Sequence, residues 1–214
     1  MSPGPLAVVY RGEASLPGCP EAAARALASS PYRFRIQYAR PTESSLRGAA
    51  LYCQPGGGDL GPAWRRLRKD ARVVRDFVQA GGRYLGFCLG GYLAGDDPGF
   101  GLLAGATDRY VGTPGCEVSG EGSQIVDVTW AGRRRSVYFQ DGCYFVAGPS
   151  TEVVATYANG LPAAVVSACG QGWVGVTGPH PEASDDWFRD EDLPPLAVPT
   201  TDLAHDLIRR VMER

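Results

Sequence analysis

The sequence predicts an α/β protein whose core is a largely parallel β-sheet. Short apolar runs of strand length recur along the 214 residues, and in the first half they alternate with segments of helical periodicity. This alternation is typical of βαβ units. The composition is that of a globular protein, with 44% apolar and 21% charged residues, and the 29 glycines and 17 prolines predict many tight connections. We expect one domain over residues 1–214.

The first half is predicted to contain four strands and two helices. Apolar or alternating runs indicate strands at Leu6–Tyr10, Tyr32–Tyr38, Ala49–Cys53 and Arg83–Phe87. An Ala-rich helix is expected over Pro20–Ala28, because proline is favoured in the first helical turn. The three-four spacing of apolar residues over Trp64–Val78 predicts a single amphipathic helix, which ends at Gly81 and Gly82.

The second half begins with a predicted β insertion between about Gly95 and Phe145. Its clearest part is a hairpin of Ile125–Trp130 and Ser136–Phe139, with the arginines of segment 131–135 at an exposed turn. The remaining elements are three strands and a closing amphipathic helix, namely Val153–Tyr157, Ala163–Ala168, Trp173–Thr177 and Leu203–Met212.

Charge and cysteine usage exclude several classes of function. The net charge of −2 lacks the basic excess that binding to nucleic acid requires. The apolar run near the N-terminus is too short for a signal peptide or a membrane span, so a cytoplasmic protein with no membrane association is expected. The six cysteines form no C-x-x-C pair, which argues against zinc and a disulfide framework. We expect no metal and no cofactor.

A candidate nucleophile lies directly after the strand Arg83–Phe87. Gly86, Cys88 and Gly90 form G-x-C-x-G between an apolar strand and a short helical segment, which is the nucleophile-elbow pattern with Cys in place of Ser. The helix N-terminus would favour the thiolate of Cys88, which is the reactive form of the side chain. A buried core thiol is the alternative interpretation, and a partner base decides between the two.

The chain offers two histidines as that base. His205 lies beside Asp202 and Asp206 in the C-terminal helix, where a solvated or capping role is expected. His180 lies in Gly-Pro-His-Pro-Glu, directly after a strand, and Pro181 favours an extended conformation for it. Residues two apart in an extended segment project to the same side, so Glu182 can orient the His180 ring. A loop histidine beside a turn carboxylate is the alternative.

The glycine-rich loop after the strand Ala49–Cys53 is a candidate oxyanion hole. Gly57 or Gly58, together with the amide of Leu89, would supply backbone donors to a tetrahedral intermediate. The loop lacks the lysine pattern of a P-loop, although an ordinary turn or a phosphate cradle remains an alternative interpretation.

Three motifs in this order, P-G-G-G-D-L, G-F-C-L-G-G-Y and G-P-H-P-E, resemble the class I glutamine amidotransferase-like superfamily. More narrowly, the chain resembles the biotin-protein ligase N-terminal-domain-like family over nearly its whole length. The resemblance implies a flavodoxin-like three-layer sandwich, with Cys88, His180 and Glu182 at the positions of a Cys-His-Glu triad. Members that use glutamine typically carry Gln four residues after the nucleophile, where this chain has Tyr92.

Weaker signals extend the candidate pocket. Tyr92, Gln140 and Asp141 are candidate pocket residues, although a hairpin turn also explains Gln140 and Asp141. Trp187 follows the candidate base closely and is predicted to fold over the pocket as part of a lid, with anchoring of its loop to the core as the alternative. The acidic stretch 183–192 carries no His or Cys and is interpreted as a solvated loop rather than a metal site.

These observations favour cysteine-dependent acyl transfer or hydrolysis on a small amide or ester substrate. Two alternatives stay open: a catalytically silent ligand-binding or regulatory module of the same fold, and a glutaminase subunit that supplies ammonia to a separate synthetase. Fold alone does not decide among them. The sequence indicates neither the identity of the substrate nor the oligomeric state.

Overall fold

A computed structural model describes residues 3–214, in which a nine-stranded sheet is flanked by helices. The strands are β1 Leu6–Val9, β2 Arg35–Tyr38, β3 Leu51–Gln54, β4 Arg83–Phe87, β5 Thr107–Arg109, β6 Gln124–Trp130, β7 Arg133–Phe139, β8 Cys143–Phe145, β9 Thr151–Tyr157, β10 Pro162–Cys169 and β11 Gly172–Thr177. The helices are α1 Cys19–Ser29, α2 Glu43–Leu46, α3 Leu60–Leu67, α4 Ala71–Gln79, α5 Leu89–Leu93, α6 Asp185–Asp190 and α7 Thr201–Met212.

The sheet has a parallel half and an antiparallel half. Its order is β2-β1-β3-β4-β11-β10-β9-β6-β7, and the pairings from β2 to β11 are all parallel. The other pairings are antiparallel, and β5 and β8 form a separate two-stranded sheet. The predicted α/β class and the β-hairpin insertion are confirmed. The hairpin β6–β7 joins the antiparallel edge of the sheet and extends it.

Helices cover both faces of the sheet and produce the three layers. On one face, α1 and α7 bury Leu27 and Leu207 against the sheet. On the other face, α3, α4 and α5 bury Leu67, Val74 and Leu93. The central strands β3 and β4 are therefore apolar along most of their length, because both of their faces are removed from water.

The predicted single helix over Trp64–Val78 is wrong, because the segment forms two helices. The chain turns after Leu67: the Arg68 amide donates to the Trp64 carbonyl at 2.8 Å, and the Asp70 amide donates to the Leu67 carbonyl at 2.8 Å. The helix α4 then starts at Ala71. Both helices place their apolar residues on the same side, so periodicity alone does not reveal the break.

Two loop predictions also need correction. The turn of the β6–β7 hairpin consists of Ala131 and Gly132, both at positive φ as in a two-residue type I′ turn, so the three following arginines belong to β7. The stretch 183–192, predicted as a solvated loop, contains α6, because Phe188 is buried there and anchors a helical turn. Among residues 3–214, no helix is both long and apolar enough to span a bilayer.

Candidate active site

Cys88 lies at a sharp turn between β4 and α5. Its φ of 49° and ψ of −103° are strained for a residue with a side chain. The Cys88 amide donates to the Thr177 carbonyl on β11 at 2.9 Å, which fixes the turn to the neighbouring strand. A Cβ atom at Gly90 would lie 2.1 Å from the Gln54 carbonyl oxygen, so only glycine permits this close packing.

His180 approaches Cys88 from the adjacent parallel strand. The strands β4 and β11 pair in parallel, so the residues that follow them emerge at the same edge of the sheet. The His180 amide donates to the Tyr138 carbonyl at 2.8 Å, which fixes the backbone beside β7. The ring of His180 lies close enough to Cys88 for the negative charge of a Cys88 thiolate to raise the pKa of His180.

Glu182 holds the other side of the imidazole. Glu182 Oε1 lies 2.8 Å from His180 Nδ1, and both side chains are almost completely buried. The Thr200 hydroxyl donates to the Pro181 carbonyl at 2.9 Å and thereby fixes the segment between them. Glu182 Oε2 is buried with no hydrogen-bond partner within residues 3–214. The carboxylate charge therefore acts mainly on His180.

The electrostatics of the site favour a protonated imidazole. Burial acts to lower the pKa of His180, but the negative charges of Glu182 and of a Cys88 thiolate raise it, and the net shift is upward. Burial raises the pKa of four other thiols, at Cys19, Cys53, Cys143 and Cys169. Those four cysteines are therefore poor nucleophiles at neutral pH.

Cys88 opens into a cavity of about 630 Å³. Most of the sequence-predicted site residues line the same cavity, namely Gly57, Gly58, Leu89, Tyr92, Gln140 and Asp141. The amides of Gly57, Gly58 and Leu89 donate no backbone hydrogen bond within the described part of the chain. They are accordingly available to a ligand. The thiol of Cys88 lies 3.4 Å from the Gln140 carbonyl oxygen.

A polar group that sequence reasoning missed forms one wall of this cavity. Arg109 Nε donates to Asp141 Oδ1 at 2.6 Å, and the same guanidinium contacts Glu121. The Tyr92 hydroxyl donates to the Asp141 carbonyl at 3.1 Å. Arg109 comes from β5 and Glu121 from the loop before β6, and no local motif marks either residue as part of a site.

Trp187, which the sequence predicts as part of a lid, lies beside His180 and is not among the residues that line the Cys88 cavity. Its ring packs against His180 at a centroid distance of 5.2 Å and against Tyr138 at 5.3 Å. It lines a second cavity of about 360 Å³, which shares Leu16 and Gln140 with the first. The helix α6 causes this arrangement, because burial of Phe188 holds Trp187 on the histidine side of the site.

Gly56 is a further residue that sequence reasoning missed. A Cβ atom there would lie 2.7 Å from His180 Cε1 and 3.4 Å from Cys19 Sγ. The loop backbone thus packs directly against the edge of the imidazole ring. The only signal in the sequence is the run of three glycines, of which the prediction used the last two.

The acidic stretch 183–192 and His205, the other polar groups considered from the sequence, do not form part of the Cys88 cavity. Within residues 3–214, no group of three or more His, Cys, Asp or Glu side chains is placed to hold a metal ion. His205 Nε2 lies 3.1 Å from the hydroxyl of Ser29, so this histidine links α7 to α1.

Comparisons with known proteins indicate the family and the fold. Residues 41–108 match the family model described as "Biotin-protein ligase, N terminal". The imidazole glycerol phosphate synthase subunit HisH of Cyanothece sp. is 31% identical over 149 residues, covering 62% of this chain and 70% of the relative. The same subunit of Trichodesmium erythraeum is 28% identical over 161 residues, covering 67% and 75%.

Solved structures show the same fold. A glutamine amidotransferase of Thermotoga maritima superposes with a TM-score of 0.66 at 14% identity, covering 99% of both chains. Another glutamine amidotransferase gives a TM-score of 0.63 at 22% identity, covering 84% of this chain and 91% of the other. Together with the identity to HisH, these matches show that the chain belongs to the class I glutamine amidotransferase-like superfamily.

Proposed function

We propose that this protein is a cysteine-dependent enzyme that transfers or hydrolyses the acyl group of a small amide or ester. Cys88 is the nucleophile, His180 is the general acid and base, and Glu182 orients His180. The observation that supports this assignment is the buried His180–Glu182 pair, joined at 2.8 Å, which follows the strand next to the one that ends at the strained turn of Cys88. A buried pair of this kind holds one tautomer and stabilises the imidazolium.

The reaction follows from these positions. The Cys88 thiolate attacks the substrate carbonyl, and the amides of Gly57 or Gly58 and of Leu89 donate to the oxyanion that forms. His180 gives its proton to the leaving amine or alcohol, which departs and leaves a thioester on Cys88. Water or another acceptor then loses a proton to His180 as it attacks the thioester, and the acid or the transferred product leaves.

Acylation by activated esters tests this function directly. With a panel of small p-nitrophenyl esters, we expect nitrophenol release and an acyl adduct at Cys88 that intact-mass analysis and peptide mapping detect. His180→Ala should slow acylation about a hundredfold or more, because the thiol loses its base. Cys88→Ser supplies the background rate.

Acylation at background rate by the whole panel, in a protein with an unchanged melting temperature, would contradict the proposal. It would leave the catalytically silent module and the glutaminase subunit as the remaining interpretations. Equal rates for the wild type and His180→Ala would contradict the role of His180 specifically.

A second candidate function is a glutaminase subunit of a two-protein synthase. The observation that favours it is that the relatives are described as subunits of imidazole glycerol phosphate synthase. Tyr92 argues against it, because this residue occupies the position at which glutamine-using members carry Gln. The Tyr92 hydroxyl is also committed to the Asp141 carbonyl.

We therefore expect negligible glutamate formation from free glutamine. Purified protein is incubated with glutamine, and glutamate is measured by a coupled dehydrogenase assay against a Cys88→Ala control. Turnover clearly above that control would overturn the expectation and favour the glutaminase.

The contact of Gly56 with the imidazole gives a prediction with a matched control in the same loop. Gly56→Ala should displace the His180 ring and slow iodoacetamide alkylation of Cys88 about tenfold or more. Gly58→Ala should leave alkylation unchanged, because a Cβ at Gly58 meets nothing within 4 Å and alkylation forms no oxyanion. Equal alkylation rates in the two variants, measured by peptide mapping, would show that the loop does not position His180.

A further inference from the structure

The cavity that contains Cys88 is lined by an excess of negative charge. Four carboxylates and one guanidinium face it, supplied by Asp59, Asp108, Glu121, Asp141 and Arg109. They come from four separate segments: the glycine-rich loop, β5, the loop before β6 and the turn after β7. The excess is therefore a property of the assembled cavity rather than of one acidic stretch of sequence.

The positive charge in this wall is already neutralised. Arg109 binds both Asp141 and Glu121, and these two partners raise its pKa. Neither Asp59 nor Asp108 forms an ion pair within the described residues. A substrate with a free carboxylate would thus meet unpaired negative charges in this cavity and no available cation.

The second cavity, which Trp187 lines beside His180, also has more negative than positive lining residues. Three carboxylates and one guanidinium line it, supplied by Asp186, Asp190, Glu191 and Arg25, and one of the carboxylates, Asp186, is paired with Arg189. The Cys88 cavity and the cavity beside it thus both have more carboxylates than guanidinium groups among their lining residues, whereas the whole chain of 214 residues has a net charge of only −2. An excess of carboxylates around the Cys88 cavity favours cations and disfavours anions there.

Tyr92 adds a second feature that suits a cation. Tyr92 is one of the residues that line the Cys88 cavity, and its hydroxyl is anchored to the Asp141 carbonyl. The face of an aromatic ring attracts ammonium and guanidinium groups. A glutamine at this position would offer amide donors and acceptors in place of an aromatic surface.

We propose that the substrate processed at Cys88 is cationic: an amide or ester that carries an ammonium or guanidinium group. This inference rests on the proposed role of Cys88 as the nucleophile. It accounts together for the carboxylates around both cavities, for the neutralised Arg109 and for an aromatic residue at position 92.

Methanethiosulfonates of opposite charge measure the potential at Cys88 directly. The Cys88 thiolate attacks the sulfenyl sulfur of the trimethylammonium or the sulfonate reagent, the bond from that sulfur to the sulfonyl group breaks, and the products are a mixed disulfide at Cys88 and free methanesulfinate. We expect the ratio of cationic to anionic rates to exceed that of free 2-mercaptoethanol about tenfold or more at low salt. The ratio should fall with added sodium chloride, because the carboxylates are exposed to solvent.

Two double variants test whether the carboxylates of the Cys88 cavity cause this difference between the cationic and the anionic rate. Asp59→Asn with Asp108→Asn should lower the ratio at Cys88 severalfold. Glu43→Gln with Asp76→Asn removes the same charge from exposed positions outside both cavities and should leave the ratio unchanged. A wild-type ratio equal to that of 2-mercaptoethanol, or an equal effect of both double variants, would overturn the inference.

Esters separate this inference from the proposed function. The p-nitrophenyl esters of Nα-acetyl-lysine, Nα-acetyl-norleucine and Nα-acetyl-glutamate differ mainly in the charge of the side chain. We expect kcat/KM to be at least tenfold higher for the lysine ester than for the norleucine ester, and lowest for the glutamate ester. Cys88-dependent turnover without this order would overturn the cationic substrate alone. A large thiosulfonate ratio with no Cys88-dependent turnover would overturn the proposed function alone.

Discussion

The buried hydrogen bond between His180 and Glu182 is the interaction on which the rest of the site depends. A carboxylate and an imidazole that are both removed from water are costly unless each charge is compensated. At 2.8 Å, Glu182 Oε1 compensates an imidazolium, and the second oxygen of Glu182 has no competing partner within residues 3–214. The pair therefore supports a protonated ring that faces the thiol of Cys88.

The parallel half of the sheet places this pair and the thiol together. The strands β3, β4 and β11 are neighbours, and each is followed by a segment that enters the site: the glycine-rich loop, Cys88 and His180. The close contacts between these segments are made by glycines. Gly90 packs on the Gln54 carbonyl, and Gly56 packs on the imidazole. Side chains at these two positions would push the three segments apart.

Residues in local motifs could be predicted from the sequence, because their spacing reflects the local backbone. The G-x-C-x-G turn is of this kind, and so is the two-residue spacing of His180 and Glu182 in an extended segment. The succession of strand-like and helix-like segments that predicted the fold is also a local signal. The positions of Arg109 and Glu121 in the cavity depend on how separate segments pack, and so does the contact of Trp187 with His180. No local sequence pattern indicates such packing. The break between α3 and α4 was hidden for a related reason, since both helices continue the same apolar stripe.

The protonation state of His180 tests the central claim most directly. The chain has only two histidines, so long-range ¹H–¹⁵N correlation spectra of ¹⁵N-labelled protein can follow both rings across pH. We expect His180 to stay protonated well above the usual histidine pKa, and we expect Glu182→Gln and Cys88→Ala each to lower its pKa, because each removes a negative charge that raises it. A His180 ring that is neutral at pH 7 in the wild type, or whose pKa is unchanged in Glu182→Gln, would show that Glu182 does not stabilise an imidazolium at this site.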